Sequence, residues 1–346
     1  MGIGTFPAFA IGQRALMLRT PAGNILWDCI SFLDDTTVTI IKALGGLAGI
    51  ACSHPHFLAS VVDWSHAFDS VPVYVHAMDR KYVTRQDPVL SFWEGDVLEL
   101  TSGITLIRCG GHFPGSTVLH WAQGSDGQGT LLTGDTLQVR PDKGLTFMHS
   151  YPNLIPLDPV TVSRIAEILE PWPFEALYGG WWERVIPARA KEVMAVSVEQ
   201  YVNAVTGSMT VNGTDVTNAD FTVQMADVHS DQSQRDNQFD GRIMNVAQYP
   251  TATFSLTSPI SLGAVPAVSA TVHESATGNL TLHGRTHSVT FPVSARYSGS
   301  TIDVTGSIPI TFADWGISNP GFGGQITTDN HGTLEFLLVL SRSSAS

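Results

Sequence analysis

Hydrophobic and polar residues follow two different patterns along the 346-residue chain. In the first 204 residues, short apolar runs such as LAGIACS at 47–53 alternate with stretches in which apolar residues recur every three or four positions. In later residues, apolar and polar side chains alternate one by one, as in TLEFLLVL at 333–340. The first pattern is typical of a mixed α/β fold, and the second of an all-β fold whose strands each have one apolar face.

The first half is predicted to contain both helices and strands. The helices are expected at 34–44, 58–68, 159–169 and 187–204. A hairpin is expected from 9–18 and 24–30, and further strands within 47–53, 71–77, 97–100, 104–109, 117–121, 130–134 and 174–180. Strands that first alternate with helices and then form meanders predict two sheets sandwiched between helices.

Composition places a domain boundary near residue 205. All four lysines and seven of the eight tryptophans precede it, whereas Ser and Thr dominate the part that follows. At roughly 100 to 200 residues per domain, the length also favours two domains. We therefore predict one domain at 1–204 and an all-β domain at 205–346.

The charge balance and the cysteines restrict the classes of partner. Eighteen basic and 31 acidic residues give a formal charge of −13, which disfavours binding to nucleic acid.

The sequence also indicates a cellular location. No apolar run approaches the roughly 20 residues of a membrane span, and MGIGTFPAFAIGQ at 1–13 lacks the basic region of a secretory signal. The three cysteines have no disulfide-like spacing. We expect a cytoplasmic protein without a transmembrane segment or a nucleic-acid partner.

Four side chains of the first half have the chemistry of metal ligands. His54 and His56 follow a predicted strand and, in extended backbone, would point to the same side. His112 lies on a Gly-rich loop after another strand, and Asp135 ends TLLTGD. Three imidazoles and one carboxylate are ligand types that Zn²⁺ favours, and such a site can keep one position for water. These four residues are the predicted metal ligands.

The motifs that carry these residues resemble those of one superfamily. They are LWDC at 26–29, SHPH at 53–56, GGHFPGS at 110–116 and LLTGD at 131–135. In this order and spacing they resemble the metallo-β-lactamase superfamily, whose members are αββα metallohydrolases and include glyoxalase II-like thioesterases. The resemblance implies an αββα sandwich at 1–204, a zinc cofactor, and hydrolysis of an ester, thioester or amide in a small-molecule substrate.

The chain departs from the superfamily motif His-x-His-x-Asp-His. Leu58 and Ala59 stand at the positions of its Asp and last His, and YGGW at 178–181 lacks the imidazole that usually ends a late strand. The departure implies one zinc ion rather than two, with Asp135 as the remaining catalytic carboxylate. Asp63 and His66, three residues apart on one predicted helix face, are further catalytic candidates that could turn towards the ion.

The second half resembles another family, the YceI-like proteins, over residues 207–342. The motifs are Ser230-Asp231 with Arg235-Asp236, YPTATF at 249–254, GNLTLHGRTHSVTFPV at 278–293 and ITFADWGI at 310–317. The resemblance implies a lipocalin-like antiparallel barrel that binds a polyisoprenoid or another long apolar lipid. The inward candidates for ligand binding are Phe221, Met225, Phe254, Leu256, Leu280, Leu282, Phe291 and Phe336. An eight-stranded barrel is wide enough either for a ligand or for a core filled by these same side chains.

The family's opening strands are missing here, because the predicted helix ending at residue 204 runs directly into the barrel segment. We therefore expect a barrel that is incomplete at its N-terminal side, with an edge covered by the first domain, by a second copy in a homo-oligomer, or by nothing.

Three functional hypotheses follow from the two halves of the sequence. They are a mononuclear zinc hydrolase fused to a lipid-binding barrel, a non-catalytic lipid or isoprenoid carrier on an inactive scaffold, and a protein whose metal ion is structural.

Overall fold

The computed structural model of the protein describes residues 1–152, 155–228, 233–299, 301–319 and 329–342. Internal contacts divide the chain into two units, Met1–Leu157 with Thr161–Val198 and Asp158–Val160 with Glu199–Ser346. The helix that precedes the all-β part ends at Asn203, directly before the predicted boundary.

Short strands and helices build the part that precedes this boundary. The strands are β1 (Gly2–Ile3), β2 (Ala15–Leu18), β3 (Ile25–Trp27), β4 (Gly49–Ala51), β5 (Val73–His76), β6 (Leu90–Trp93), β7 (Val97–Thr101), β8 (Ile104–Arg108), β9 (Thr117–Trp121), β10 (Thr130–Gly134), β11 (Gln138–Val139), β12 (Leu145–Thr146), β13 (Met148–Ser150), β14 (Ile155–Pro156), β15 (Ala176–Gly179) and β16 (Val185–Ile186). The helices are α1 (Asp35–Ala43), α2 (Val61–Ala67), the one-turn α3 (Gly124–Gly127), α4 (Pro159–Leu169) and α5 (Ala190–Asn203), with 3-10 turns at Pro55–Phe57 and Ala77–Tyr82. The four predicted helices agree with α1, α2, α4 and α5 within three residues at either end.

The strands form two six-stranded sheets. The first runs in the order β1 to β6, with β1, β2 and β3 antiparallel and β3 to β6 parallel. The second has the order β16-β15-β10-β9-β8-β7 and is antiparallel except for the pair β10 and β15. The parallel strands β4 and β10 end at the segments that carry the predicted metal ligands.

Two apolar clusters show how these layers pack. One cluster joins both sheets and comprises Leu18, Ile25, Trp27, Ala51, Trp93, Ile104, Leu106, Leu119 and Leu132. A second cluster joins Ile41 of α1 and Trp64 of α2 to Leu26, Ile50 and Val73 of the first sheet. Because the two sheets face each other and helices cover an outer face, the predicted αββα sandwich is confirmed.

The part after residue 204 is an antiparallel half-barrel. Its strands are β17 (Val205–Asn212), β18 (Asp215–Gln224), β19 (Thr251–Leu256), β20 (Ile260–Ser261), β21 (Thr271–Leu282), β22 (Arg285–Tyr297), β23 (Thr301–Thr311) and β24 (His331–Ser341), and α6 spans Ser233–Gln238. The order is β17-β18-β19-β21-β22-β23-β24, with β20 beside β18. Within the residues that the structure describes, no pairing joins β17 to β24, so the prediction of an incomplete barrel is confirmed.

Candidate metal centre and ligand cavity

The four predicted metal ligands meet at one point of the first unit. His54 follows β4, His56 lies in the adjacent 3-10 turn, His112 lies on the β8–β9 loop, and Asp135 follows β10 directly. One potential ligand atom from each of the four lies within 4.8 Å of the others. Side chains from three separate segments therefore converge as the sequence predicted.

The route by which His54 and His56 converge differs from the predicted one. His54 is extended, with φ −169° and ψ 172°, but Pro55–Phe57 forms a 3-10 turn. The ring of Pro55 fixes its φ near −65°, a value that suits the first position of a helical turn and not a continuing strand. The expectation that both imidazoles project from one extended strand is therefore wrong. The turn brings His56 Nδ1 to 3.1 Å from His54 Nε2.

The distances between the ligand atoms suit a single ion. His54 Nε2 lies 3.4 Å from Asp135 Oδ2, and His112 Nε2 lies 3.8 Å from the same oxygen. Four ligands placed 2.0 to 2.1 Å from a tetrahedral zinc ion stand about 3.3 Å apart. Three of the six separations, 3.1, 3.4 and 3.8 Å, lie near this value, and all six are within 4.8 Å, so the four side chains can gather around one ion.

Two atoms of the cluster are buried without a hydrogen-bond partner in the described part of the chain. They are Nε2 of His112 and Oδ1 of Asp135, whose residues are 2% and 5% exposed. An unsatisfied buried polar atom costs about 1–3 kcal/mol, so native proteins rarely leave one unpaired. A cation between these groups would satisfy the lone pairs, and the residues therefore fit a metal ion.

Hydrogen bonds to the Nδ1 atoms of His54 and His112 orient these two imidazoles. His112 donates from Nδ1 to the carbonyl of Met148 at 2.9 Å, which leaves Nε2 with its lone pair towards the cluster. Ser53 Oγ lies 2.8 Å from His54 Nδ1, so the tautomer with a proton on Nδ1 likewise presents Nε2 as a ligand. Such partners orient metal-binding histidines and raise their basicity.

A buried carboxyl group holds Ser53 in turn. Asp28 Oδ1 accepts a hydrogen bond from the backbone N–H of Ser53 at 2.7 Å, and the two side chains also hydrogen-bond. Burial raises the pKa of Asp28 to about 7, although the nearby His54 opposes this shift. Asp28 therefore helps to orient His54 through hydrogen bonds that run by way of Ser53.

The environment of His56 and His112 favours the form of imidazole that binds metals. Burial, followed by the adjacent His54, lowers the pKa of His112 to about 4, and the same two causes lower the pKa of His56. Neutral imidazole is the ligating form, because its lone pair is free. Both residues are therefore prepared to bind a cation near neutral pH.

Aromatic and apolar contacts are made at the positions where the sequence departs from the superfamily motif. The ring of Phe57 lies 4.6 Å from that of His54, and Trp181 lies 6.4 Å beyond it. A Cβ on Gly180, where the late strand lacks its imidazole, would stand 3.6 Å from Phe57 Cζ. Leu58 packs against the apolar cluster under α1 and α2.

Asp63 and His66 do not reach the cluster. Asp63 Oδ1 pairs with Arg85 at 2.7 Å, and His66 Nε2 lies 3.3 Å from Asp87 Oδ2. The side chains of Asp63 and His66 are 59% and 45% exposed. The expectation that they turn towards the ion is wrong: they share a helix face, but that face of α2 points to solvent and to these ion pairs.

Asp79 is a supporting residue that the sequence did not reveal. It is buried, and its Oδ1 accepts a hydrogen bond from the N–H of Gly115 at 2.8 Å, on the loop that carries His112. A Cβ on Gly115 would lie 2.7 Å from Asp79 Cγ, so only glycine allows this approach. Burial raises the pKa of Asp79. Asp79 and Gly115 are 36 residues apart, and no local pattern connects them.

A separate cavity of about 450 Å³ lies within the half-barrel. All eight predicted inward residues line it: Phe221, Met225, Phe254, Leu256, Leu280, Leu282, Phe291 and Phe336. The interior is therefore open rather than filled. Of the motif that suggested the YceI-like resemblance, Arg235 and Asp236 lie on α6, whereas Ser230 and Asp231 fall outside the described residues.

The protein is a two-part chain. Its first part is an αββα sandwich with a His/Asp cluster, and its second part is a half-barrel with an apolar cavity. The profile of the YceI-like domain matches residues 183–340 and confirms that resemblance. Uncharacterized protein YmaE of Bacillus subtilis is 42% identical over 208 residues, which are 60% of this chain and 75% of YmaE. The chain therefore belongs to the same family as YmaE.

Neither match is confined to the predicted all-β domain at 205–346. The YceI-like match starts at residue 183 and so includes α5, which precedes the first strand of the half-barrel. The 208 residues shared with YmaE exceed the 142 residues of 205–346, so that likeness extends into the first half.

Solved structures are similar to each half. The DIM-1 metallo-β-lactamase is 15% identical, covers 58% of this chain and 92% of its own, and has a TM-score of 0.45. A polyisoprenoid binding domain from Saccharophagus degradans is 16% identical, covers 40% of this chain and 82% of its own, and has a TM-score of 0.34. Within the described ranges, no helix is both long and apolar enough to cross a membrane.

Proposed function

We propose that the first unit is a metal-dependent hydrolase of an ester, thioester or amide that uses one zinc ion. The convergence of His54, His56, His112 and Asp135, with donor atoms within 4.8 Å of one another, carries the proposal. Three imidazoles with Asp135 beside the ion would leave one position of a tetrahedral zinc for water, and the ligand types suit zinc, although non-haem iron also accepts imidazole and carboxylate.

Each residue has a defined part in this reaction. His54, His56 and His112 would hold the ion through lone pairs that Ser53 and Met148 direct inward for two of them. A bound zinc ion supplies Lewis-acid polarisation and activates water at neutral pH. Asp135 Oδ1, which is buried and unpaired among the described residues, can accept a proton or complete the ligand set.

Metal content of the purified full chain tests the centre. We expect about one ion per chain in the wild type and at least a tenfold loss in His54→Ala and His112→Ala, because each variant removes a ligand. His66→Ala is the matched control, since His66 belongs to a surface pair with Asp87. Equally low metal in all four proteins would contradict the proposal, and elemental analysis distinguishes zinc from iron.

Turnover separates the hydrolase from its two rivals. With metal bound, we expect hydrolysis of p-nitrophenyl acetate or of a thioester that disappears in His112→Ala and persists in His66→Ala. A stoichiometric ion without turnover of ester, thioester or amide substrates would support a structural ion. Absence of both metal and turnover would support the non-catalytic carrier.

We also propose that the half-barrel binds a long-chain isoprenoid or another lipid. The YceI-like match and a cavity of about 450 Å³ support this, because ligand sites commonly enclose about 300–1,000 Å³ and are mostly apolar. Mass spectrometry of an organic extract, together with titration by farnesol, tests it. Ala276→Phe should weaken binding, since Ala276 lines the cavity and is buried. Absence of a copurifying lipid and of farnesol uptake would refute this role.

Two further proposals concern the state of the protein. We propose that a second copy covers the edges β17 and β24, which are unpaired among the described residues, because unpaired strand edges favour self-association. A monomer at all concentrations in light scattering would contradict it.

We propose a cytoplasmic location, which the free, buried Cys29, Cys52 and Cys109 support. Cell fractionation tests the location.

A further inference from the structure

The charged side chains at the cavity of the half-barrel have one sign. Among the described residues that line it, Glu274 and Glu335 are charged and both are acidic. The whole segment 205–346 carries 11 acidic and five basic residues. A ligand that enters this cavity therefore meets a negative potential without a lysine or arginine in the described lining.

Strand register distinguishes the two glutamates. Glu274 occupies the same alternate positions of β21 as the lining residues Val272, Ala276 and Leu280, so it belongs to the inward row. Glu335 lies between Leu334 and Phe336 of β24 and belongs to the opposite row. Glu274 is thus the charged residue that the described inner face carries.

Burial shows that Glu274 stands at the open end of the cavity. Leu280 and Leu282, further along β21, are 5% and 2% exposed and mark the closed end. Val272 is half-buried and Glu274 is exposed. The cross-strand partner of Glu274 is Val293, which is half-buried as well. An apolar chain in the closed end would therefore bring its polar end to Glu274.

We propose that the cavity selects chains whose polar end donates hydrogen bonds, namely alcohols and amines, and disfavours the same chains ending in phosphate. A hydroxyl or ammonium group can donate to the Glu274 carboxylate, whereas a phosphate placed there meets a like charge. This inference rests on the proposed lipid-binding role of the half-barrel. It adds a head-group class to that role and assigns selection to Glu274.

Competition binding on the full chain tests the inference. N-phenyl-1-naphthylamine is bound as a fluorescent probe and displaced by farnesol, farnesylamine or farnesyl monophosphate, which share one chain. We expect farnesol and farnesylamine to bind at least about tenfold more tightly than the phosphate. Glu274→Gln should remove most of this difference by improving phosphate binding and by weakening farnesylamine binding, whereas farnesol should change least because the amide carbonyl still accepts a hydrogen bond from its hydroxyl. Glu335→Gln, which removes the same charge from the opposite row, should leave the difference in place.

The outcomes separate this inference from the role on which it rests. Failure of all three chains to displace the probe, in a wild type with an intact melting transition, would overturn lipid binding itself. Equal binding of the three chains, or tight phosphate binding that Glu274→Gln does not alter, would overturn head-group selection while lipid binding stands. Equal improvement in both glutamine variants would assign selection to overall charge and overturn the role of Glu274.

Discussion

Ser53 links the buried carboxyl group of Asp28 to the imidazole of His54. Its backbone N–H donates to Asp28 at 2.7 Å, and its hydroxyl lies 2.8 Å from His54 Nδ1. A Cβ on Gly134 would overlap the Ser53 side chain, so the end of β10 packs tightly against it. The orientation of one imidazole of the cluster therefore depends on a neighbour outside the cluster.

Ser53→Ala should weaken metal binding about 10- to 100-fold, the usual effect of removing a partner behind a metal ligand. Chelator competition on the metal-loaded protein measures this loss. Ser65→Ala is the matched control, because Ser65 is also buried and donates to Val71 O, away from the cluster. Equal metal affinity in wild type and Ser53→Ala would show that Ser53 does not orient His54.

His120 gives the first unit a pH-dependent stability that is independent of the metal. It is buried and donates from Nε2 to Pro173 O at 2.6 Å, and burial lowers its pKa from 6.5. Because the unfolded chain takes up the proton first, the free energy of unfolding should fall as the pH drops below about 6.5. His120→Gln should flatten this decline between pH 7 and 5.5 in thermal melts. An unchanged slope would contradict the assignment.

The sequence was sufficient for some residues of the site and not for others. His54, His56, His112 and Asp135 were predictable because each follows a strand and has metal-binding chemistry. Asp63 and His66 were expected to turn towards the ion and do not, since helical spacing defines a shared face but not the direction in which that face points. Asp79 was not identified because its contact with Gly115 is made only in the folded chain.

At the scale of elements, phenylalanine rings lie against glycines on the wall of the half-barrel. Gly306 of β23 pairs with Phe336 of β24, and a Cβ on Gly306 would overlap that ring. A Cβ on Gly278 would likewise overlap the ring of Phe254. Rings that cover glycines stay near the sheet, which leaves room for the cavity.

Gly306→Ala should therefore push the Phe336 ring off the strand towards the interior. We expect farnesol affinity to fall severalfold and stability to fall by about 1–3 kcal/mol, the usual cost of overpacking. Gly241→Ala is the control, because a Cβ there meets nothing within 4 Å. Titration and denaturant unfolding measure the two effects. Unchanged farnesol affinity in Gly306→Ala would show that the ring does not define the cavity.

The alternating pattern predicted which side chains face inward but not whether they fill the interior. All eight inward candidates line the cavity, as register dictates. Whether space remains depends on side-chain rotamers and on cross-strand neighbours such as Gly306 and Phe336. Those features appear only once the strands are paired.

At the scale of the whole molecule, the four cluster residues all lie before the change of composition near residue 205. Seven of the eight tryptophans precede that break, and Trp315 follows it. Tryptophan fluorescence therefore reports chiefly on the part that holds the four cluster residues.

The αββα class was predictable because strand and helix patterns alternate, whereas the order of strands within each sheet was not.

Metal removal should destabilise that part selectively. A ligand at 100 times its dissociation constant stabilises the native state by about 2.7 kcal/mol, which corresponds to roughly 5–10 °C for a unit of this size. We expect chelation to lower the fluorescence-detected midpoint by this amount in the wild type and not in His112→Ala. A midpoint that chelation leaves unchanged in the metal-loaded wild type would contradict a resident ion.

The open order of the half-barrel sheet affects how quickly it forms. β21 and β22 pair over 12 positions around His283-Gly284, whose positive φ values of 49° and 73° suit a two-residue hairpin turn. Joining β17 to β24 would require contacts between residues more than 100 positions apart, with the entropy cost of closing so long a loop. Without that step the mean sequence separation of contacts is lower than in a closed barrel of the same strands, which favours faster folding.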